Sequence, residues 1–84
     1  METLKEETIK ERIKRRVATI VKGEPETIED SAKFSDVGID SADMITIIYD
    51  LETEFDVVIS DEEVGGISTI QDACTLINNK VNNI

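Results

Sequence analysis

Apolar residues recur at helical spacing in three stretches of the chain. In residues 1–22 they stand three to five positions apart, which predicts a first helix with one apolar face. Two capping boxes, one starting at Thr3 and one at Thr8, compete for its start, so a beginning near residue 4 and one near residue 9 are both open. Gly23 and Pro25 are expected to end this helix.

The second helical stretch has a well-marked beginning. Asp40 is a good N-cap residue, and Asp43 stands three positions later, where the acid of a capping box belongs. Gly38 lets the chain turn into the helix. These signals predict a helix over residues 41–55, with the hydroxyl of Ser41 in its first turn.

The residues of this second helix fall on three faces when they are placed at about 100° per residue. The widest apolar face is expected to be buried in the core: Met44, Ile47, Ile48, Leu51 and Phe55. A second apolar face lies roughly another 100° around the helix: Ala42, Ile45 and Tyr49. A row of carboxylates, expected to be solvated, occupies the opposite flank: Asp43, Asp50 and Glu54. Such a helix is suited to docking a partner protein.

Two more helices are predicted towards the end of the chain. Residues 56–59 form a short extended connection, and Ser60 opens another capping box. The glycines at 65–66 stop this third helix within a turn or two. Ser68 or Thr69 then caps a last helix that runs to about residue 80. Its apolar face contains Ile70, Ala73, Cys74, Leu76 and Ile77. The Asn-rich end from Val81 to Ile84 is expected to fray.

Residues 23–39 lack a sustained period and are predicted to be one long ordered loop, which could include a short helical turn. Four large apolar side chains are expected to hold it against the core: Ile28, Phe34, Val37 and Ile39. The pattern as a whole therefore predicts an all-α protein.

The composition limits what this fold can do. Eighty-four residues make one small domain, which buries about 60% of its unfolded surface and has little room for a catalytic cleft. The absence of histidine removes the usual route to an activated serine or cysteine. A single cysteine, Cys74, cannot form an internal disulfide and is expected to be a buried thiol. Without a membrane-length apolar run or a leader, we expect a cytoplasmic protein that is not an enzyme.

The net charge of −10 is unevenly distributed. Residues 1–22 hold seven basic and four acidic side chains, a net charge of +3, whereas residues 23–84 hold two basic and fifteen acidic side chains, a net charge of −13. Such a surface repels nucleic acid and anionic membranes and attracts proteins with basic patches. The acids around Asp36 do not form a calcium loop, because the position of the closing glutamate is occupied by Ile47. No specific metal site is expected.

Several short motifs occur in a recognisable order. Gly-Ile-Asp-Ser-Ala-Asp is followed by Asp-Leu-Glu-Thr-Glu-Phe-Asp, Ile-Ser-Asp-Glu-Glu, Ile-Ser-Thr-Ile-Gln-Asp-Ala and Leu-Ile-Asn. From about Phe34 to Ile77 this series closely resembles an acyl carrier protein of the bacterial fatty-acid-synthase type. The resemblance implies a four-helix bundle with three longer helices and a short third one. It also implies that Ser41 accepts 4′-phosphopantetheine from coenzyme A, transferred by a separate Mg²⁺-dependent phosphopantetheinyl transferase, and carries acyl thioesters on that arm.

The resemblance also assigns the other functional residues. Beside Ser41, it implies a docking surface for acyl-transferring and acyl-modifying enzymes with basic patches, formed by Asp40, Asp43, Glu52 and Asp61 with the apolar residues Ala42, Ile45 and Tyr49. It implies an acyl pocket lined by Phe34, Ile47, Ile48, Leu51, Ile59, Val64, Ile67 and Leu76. A monomer that neither binds nucleic acid nor inserts into membranes is expected.

This chain departs from the family pattern on the docking helix and at the end of the third helix. Ala42 stands where leucine is usual, and Thr46 and Thr53 replace two glutamates of the family. Asp50 adds a carboxylate, and the glycines at 65–66 replace charged residues. These changes suggest a specialised carrier with a dedicated pathway. An aminoacyl or polyketide carrier is the alternative cargo class, and an unmodified acidic adaptor protein is the alternative of another kind.

Overall fold

Four α-helices make up most of residues 5–82, the part of the chain that the computed structural model describes. They are α1 (Glu6–Val21), α2 (Ser41–Phe55), α3 (Asp61–Gly65) and α4 (Ile70–Val81), and a 3₁₀ turn at Pro25–Thr27 follows α1. Within those residues there is no strand, and one isolated bridge joins Lys33 to Thr69. The predicted all-α architecture is confirmed.

α1 begins between the two predicted starts, and its end at Val21, shortly before Gly23, agrees with the prediction. The helix begins at Glu6 after Lys5, which makes no side-chain capping bond, so the capping box predicted at Thr8 is wrong and Thr8 lies inside the helix. The box predicted at Thr3 lies outside the described residues, as does the end of the chain at residues 83–84, where fraying was expected. At the other end Lys22, and not Gly23, takes the left-handed conformation that closes the helix, with φ of 58°.

The core forms where α1, α2 and α4 meet. Its largest fully buried side chains come from these three helices: Ile9, Ile13, Val17, Ile47, Leu51, Ile70, Cys74 and Ile77. Four of the five residues predicted to form the core face of α2 are buried, and Met44 is only partly buried against the edge of the core. Burial of apolar area between the helices is the main stabilising contribution to this fold.

The long loop between α1 and α2 is held in place by backbone hydrogen bonds to the chain near the start of α4. The N–H of Phe34 donates to the carbonyl of Ser68 at 3.0 Å, and the N–H of Ile70 donates to the carbonyl of Ala32 at 3.0 Å. Ile28, Phe34 and Ile39 are buried, and Val37 packs against the core, so the four predicted anchoring residues are confirmed. The loop is therefore an ordered part of the fold.

Asp30 adds an electrostatic contact between this loop and α1. Its two carboxylate oxygens accept hydrogen bonds from Lys10 at 2.8 Å and Lys14 at 2.6 Å. The hydrogen bonds from both lysines hold the pKa of Asp30 below its usual value. The loop is thus tied to the basic helix α1 by the side chain of Asp30 and to the start of α4 by its backbone.

Both C-terminal helices begin with a capping box, which was predicted at Ser60, whereas for α4 only a cap at Ser68 or Thr69 was predicted. Ser60 pairs with Glu63 at the start of α3, and Thr69 pairs with Asp72 at the start of α4. Thr69 is therefore the N-cap of α4. No residue of α3 is buried, and an ion pair of 3.0 Å between Glu63 and Lys80 connects it to α4. As a five-residue helix without a buried side chain, α3 is weakly anchored compared with its neighbours.

Glu54 was expected to be solvated, and the structure corrects this. One of its oxygens accepts from Arg12 at 2.8 Å and the other from Arg16 at 2.8 Å, and its side chain is only 17% exposed. The guanidinium of Arg12 also lies 5.9 Å from the centre of the Phe55 ring. Glu54 therefore joins α2 to the basic helix α1. Its partners lie about forty residues away in sequence, so the pattern within α2 could not show them.

Candidate functional site

The first turn of α2 has the predicted capping box. The Oδ1 of Asp40 accepts from the N–H of Asp43 at 2.8 Å, and the Oδ2 of Asp43 accepts from the N–H of Asp40 at 3.4 Å. Ser41 is the first residue of the helix and is exposed. None of the hydrogen bonds within residues 5–82 involves its hydroxyl. The capping residues thus fix the helix start and leave the serine oxygen available.

The electrostatics of this end of α2 favour an attached anion. The unpaired backbone N–H groups of a first turn and the aligned peptide dipoles make a helix N-terminus locally positive. A phosphate diester on Ser41 would lie at this end, where anions are bound in many proteins. No lysine or arginine lies between residues 34 and 79 in the sequence, so α2 itself has no basic side chain that could add to this potential.

Gly38 directs the chain into α2. Its φ is +98°, a conformation that L-residues rarely adopt, and it separates the partly buried Val37 from Ile39, which is buried just before the capping box. A Cβ at this position would lie 3.6 Å from Cγ1 of Val21, so space is available and the backbone conformation is the constraint.

We therefore expect Gly38→Ala to lower the free energy of unfolding by about 1–2 kcal/mol, since an L-residue is strained at this φ. Gly65→Ala is the matched control: a Cβ there meets no atom within 4 Å in α3, and alanine should stabilise the helix by about 0.5–1 kcal/mol. Urea unfolding of both variants measures the difference. Equal shifts in the same direction would contradict the conformational argument.

The second apolar face of α2 is exposed, as predicted. Ile45 is 71% exposed and Tyr49 69% exposed, and Ala42 is also exposed. We call these three residues the α2 apolar surface. The two threonines that distinguish this helix, Thr46 and Thr53, donate their hydroxyls to the carbonyls of Ala42 and Tyr49, so they bond to their own helix.

The acids predicted to dock partners differ from one another in exposure and hydrogen bonding. The Oε2 of Glu52 accepts a hydrogen bond from the N–H of Ile59 at 2.8 Å, so this half-buried carboxylate is used within the fold. Asp61 is exposed in the first turn of α3. Asp40 is exposed and Asp43 half-buried, and both take part in the capping box. The structure therefore brings Asp40, Ser41, Ala42 and Asp43 together at one helix end and places Asp61 on another element.

Val58 is exposed although the sequence analysis did not single it out. It is 79% exposed, in the extended connection between α2 and α3. A signal was available: residues 57–59 are three consecutive large apolar residues, and successive side chains of an extended segment point in opposite directions. When Val57 and Ile59 pack inwards, Val58 must face outwards.

Comparison with known proteins identifies the family. A family model described as a phosphopantetheine attachment site matches residues 11–77. The acyl carrier protein of Thermosynechococcus vestitus is 42% identical over 74 residues, which cover 87% of this chain and 91% of that protein. The chain belongs to the acyl carrier protein family. Its members carry 4′-phosphopantetheine as a covalently attached cofactor.

Further comparisons agree with this family and its fold. The acyl carrier protein of Buchnera aphidicola is 42% identical over 73 residues, covering 86% of this chain and 91% of that protein. A crystal structure of an acyl carrier protein from Thermotoga maritima superposes with a TM-score of 0.81 over 96% of this chain and 95% of that chain, at 22% sequence identity. The four-helix architecture implied by the sequence is therefore that of an acyl carrier protein.

The residues expected to line the acyl pocket of this carrier lie in or against its core. Five are buried: Phe34, Ile47, Ile48, Leu51 and Ile59. Three are partly buried and pack on that core: Val64, Ile67 and Leu76. A surface groove of about 300 Å³ between α3 and α4 is lined in part by Gly66, Ile67 and Leu76.

The remaining reactive groups of the carrier contribute no chemistry at this site. Cys74 is fully buried, as predicted, and burial together with the nearby charge of Glu6 raises the pKa of its thiol to about 11. Within residues 5–82 no group of three or more acidic or cysteine side chains is arranged to hold a metal ion. No helix in that part of the chain is long and apolar enough to cross a membrane.

Proposed function

We propose that this carrier bears its phosphopantetheine arm on Ser41 and carries acyl groups as thioesters on the arm's terminal thiol. The observation that supports this most directly is the exposed hydroxyl of Ser41, which is free of hydrogen bonds at the positive end of α2. The serine lies within the matched residues 11–77. The neighbouring capping residues, Asp40 and Asp43, hold the helix end that presents it.

The attachment reaction would be carried out by a separate phosphopantetheinyl transferase. The Oγ of Ser41 attacks the phosphorus atom of coenzyme A that bears the pantetheine group, and the phosphoanhydride bond breaks as the new phosphodiester forms. The serine proton passes to a base of the transferase, and the adenosine bisphosphate leaves. This chain needs no catalytic residue for that step, which agrees with the lack of histidine and the buried state of Cys74. The carrier is thus a substrate of its partners and not an enzyme.

The partners of such a carrier are acyl-transferring and acyl-modifying enzymes with basic docking patches. We propose that they meet the α2 apolar surface together with the acids Asp40, Asp43, Glu52 and Asp61. The net charge of −10 disfavours self-association, which supports a monomer acting as one acyl-carrier domain over residues 1–84. A cytoplasmic location belongs to the same proposal, supported by the single, reduced cysteine.

The acyl chain would be sheltered in the bundle. The predicted pocket residues belong to the core or pack against it, and a groove lined in part by Ile67 and Leu76 opens to the surface between α3 and α4. Because α3 has no buried residue, displacing it would cost little. We propose that an acyl chain enters between α3 and α4 by this route.

The pathway is either fatty-acid synthesis or a specialised acyl-lipid or secondary-metabolite route. Thr46 and Thr53 support a specialised role, since their hydroxyls bond to their own helix and offer no negative charge to a partner. An aminoacyl or polyketide carrier would use the same arm with another cargo. If purified fatty-acid elongation enzymes turned over the loaded protein as efficiently as a housekeeping carrier, the specialised role would be excluded.

Incubation with coenzyme A and a broad-specificity phosphopantetheinyl transferase tests the central proposal. Intact-mass analysis should show that the protein gains the mass of one phosphopantetheine group. An unchanged mass would overturn the carrier function and favour the unmodified acidic adaptor.

A further inference from the structure

Val58 has the most exposed large apolar side chain in residues 5–82, at 79%. The other two, Ile45 and Tyr49, belong to the α2 apolar surface. One exposed valine on a small protein is ordinary. Val58 is distinguished by its place just beyond α2, the helix that bears Ile45 and Tyr49.

The outward direction of Val58 is set by the fold. Its neighbours face inwards: Val57 packs against the core and Ile59 is buried. The segment is held to the end of α2 by the N–H of Val57, which donates to the carbonyl of Glu52 at 3.1 Å, and by the N–H of Ile59, which donates to the carboxylate of Glu52 at 2.8 Å. The exposed valine is therefore presented on a fixed backbone, so little conformational entropy is lost when a partner covers it.

Val58 follows α2, the helix that bears the α2 apolar surface, and stands three residues after its last residue, Phe55. Ile45, Tyr49 and Glu52 stand at i, i+4 and i+7, which places them on one side of the helix. Glu52 binds the residue that follows Val58, which keeps the valine close to this end of α2. Ser41 is at the other end of a helix of 15 residues, about 22 Å long.

We propose that Val58 is a docking contact for the enzymes that act on the arm, and that it inserts into a shallow apolar depression rimmed by lysine or arginine. This inference rests on the proposed function. The nature of the rim follows from charge complementarity: Asp56 and Asp61 flank the valine in sequence and are exposed, and residues 34–79 contain no basic side chain. A second copy of the chain is a poor partner, because the same acidic surfaces would repel each other.

The distance from Ser41 determines the kinetic effect. A contact beyond the far end of a helix about 22 Å long can strengthen binding of the carrier but cannot stabilise atoms that react at Ser41. Removing it should therefore raise KM and leave kcat unchanged. Partial burial of a valine side chain in a shallow depression corresponds to an increase in KM of about fivefold to tenfold when the side chain is removed.

The test uses two purified enzymes as probes: a broad-specificity phosphopantetheinyl transferase acting on the protein without its arm, and a carbon–carbon bond-forming 3-ketoacyl synthase acting on the acyl-loaded protein. Val58→Ser is compared with wild type and with Val58→Ile. Thr19→Ser is a further control, since it removes a methyl group at an exposed position of α1. We expect Val58→Ser to raise the KM of at least one enzyme about fivefold to tenfold, and the isoleucine and α1 variants to behave like wild type.

Equal KM values for wild type and Val58→Ser, within about twofold in both assays, would overturn the inference. So would a change in sedimentation behaviour caused by Val58→Ser, since that would assign the valine to contacts between copies. Melting temperatures of all variants should agree, because the side chain is exposed. A wild type that gains no arm would refute the proposed function itself, whereas a normally modified wild type with an unaffected Val58→Ser variant would refute only the role of Val58.

Discussion

Ser41→Ala should abolish attachment of the arm. In the assay with coenzyme A and the transferase, the wild type gains one phosphopantetheine group and the variant gains none, because no other atom at the start of α2 offers a free hydroxyl. The free energy of unfolding should change by less than about 0.5 kcal/mol, since the Ser41 hydroxyl takes no part in the capping box. Intact-mass analysis and urea unfolding measure both results.

Ser60→Ala is the matched control, since Ser60 also lies at a helix start. Its oxygen accepts from the N–H of Glu63 at 3.1 Å and so caps α3. We expect this variant to be modified like wild type but to lose about 1 kcal/mol of stability. The two serines would thus show opposite behaviour. Arm attachment that persists in Ser41→Ala would show that another residue is the acceptor.

Glu54→Gln should destabilise the fold more than any other surface charge change. Glutamine offers one acceptor oxygen, so either Arg12 or Arg16 loses its partner across the contact between α1 and α2. Because the glutamate side chain is only 17% exposed, water replaces the lost bonds poorly. We expect the free energy of unfolding at neutral pH to fall by about 1–2 kcal/mol, measured by urea or thermal unfolding.

Glu11→Gln provides the control for this prediction. Glu11 pairs with Arg15 within α1, and their side chains are 60% and 67% exposed. An exposed pair of this kind contributes little, so the loss should stay below about 0.5 kcal/mol. If Glu11→Gln and Glu54→Gln lowered the free energy of unfolding equally, the partly buried contact between the helices would stabilise the fold no more than an exposed ion pair.

The same contact has a definite pH dependence. Partial burial alone would raise the pKa of Glu54, but the hydrogen bonds from Arg16 and Arg12 outweigh burial and hold the pKa below its usual value. A carboxyl group with a lowered pKa stabilises the fold fully above its unfolded pKa, about 4.3, and loses that contribution as the pH falls through its folded pKa. The stability difference between wild type and Glu54→Gln should therefore shrink as the pH is lowered from neutral into this acidic range.

Much of the candidate site is predictable from sequence because its interactions are local. The capping box of α2 joins residues three positions apart, and the bounds of that helix were predicted as residues 41–55 and found as Ser41–Phe55. The exposure of Ile45 and Tyr49 also follows from helical spacing, once the opposite face is known to be buried. In α1 the local signals misled, because Lys5 starts the helix without a side-chain cap.

The use of individual carboxylates was not predictable in this way. Glu54 was expected to be solvated, Glu52 was expected to dock partners, and the sequence pattern assigns no contact to Asp30. Each is bonded to a group seven or more residues away in the sequence: arginines of α1, the backbone of Ile59 and lysines of α1, respectively. Ion pairs and hydrogen bonds depend on distance in space, and folding alone brings these groups together.

The start of α2 and the place of Ser41 in it follow from hydrogen bonds that the chain makes within four residues. The amino-acid sequence by itself predicts such local bonds. The packing of α1 and of the residues after α2 against the bundle decides which acids remain free for a partner. It also decides that Val58 faces solvent beyond the far end of α2. Those contacts join residues distant in sequence, so their geometry exists only in the folded molecule.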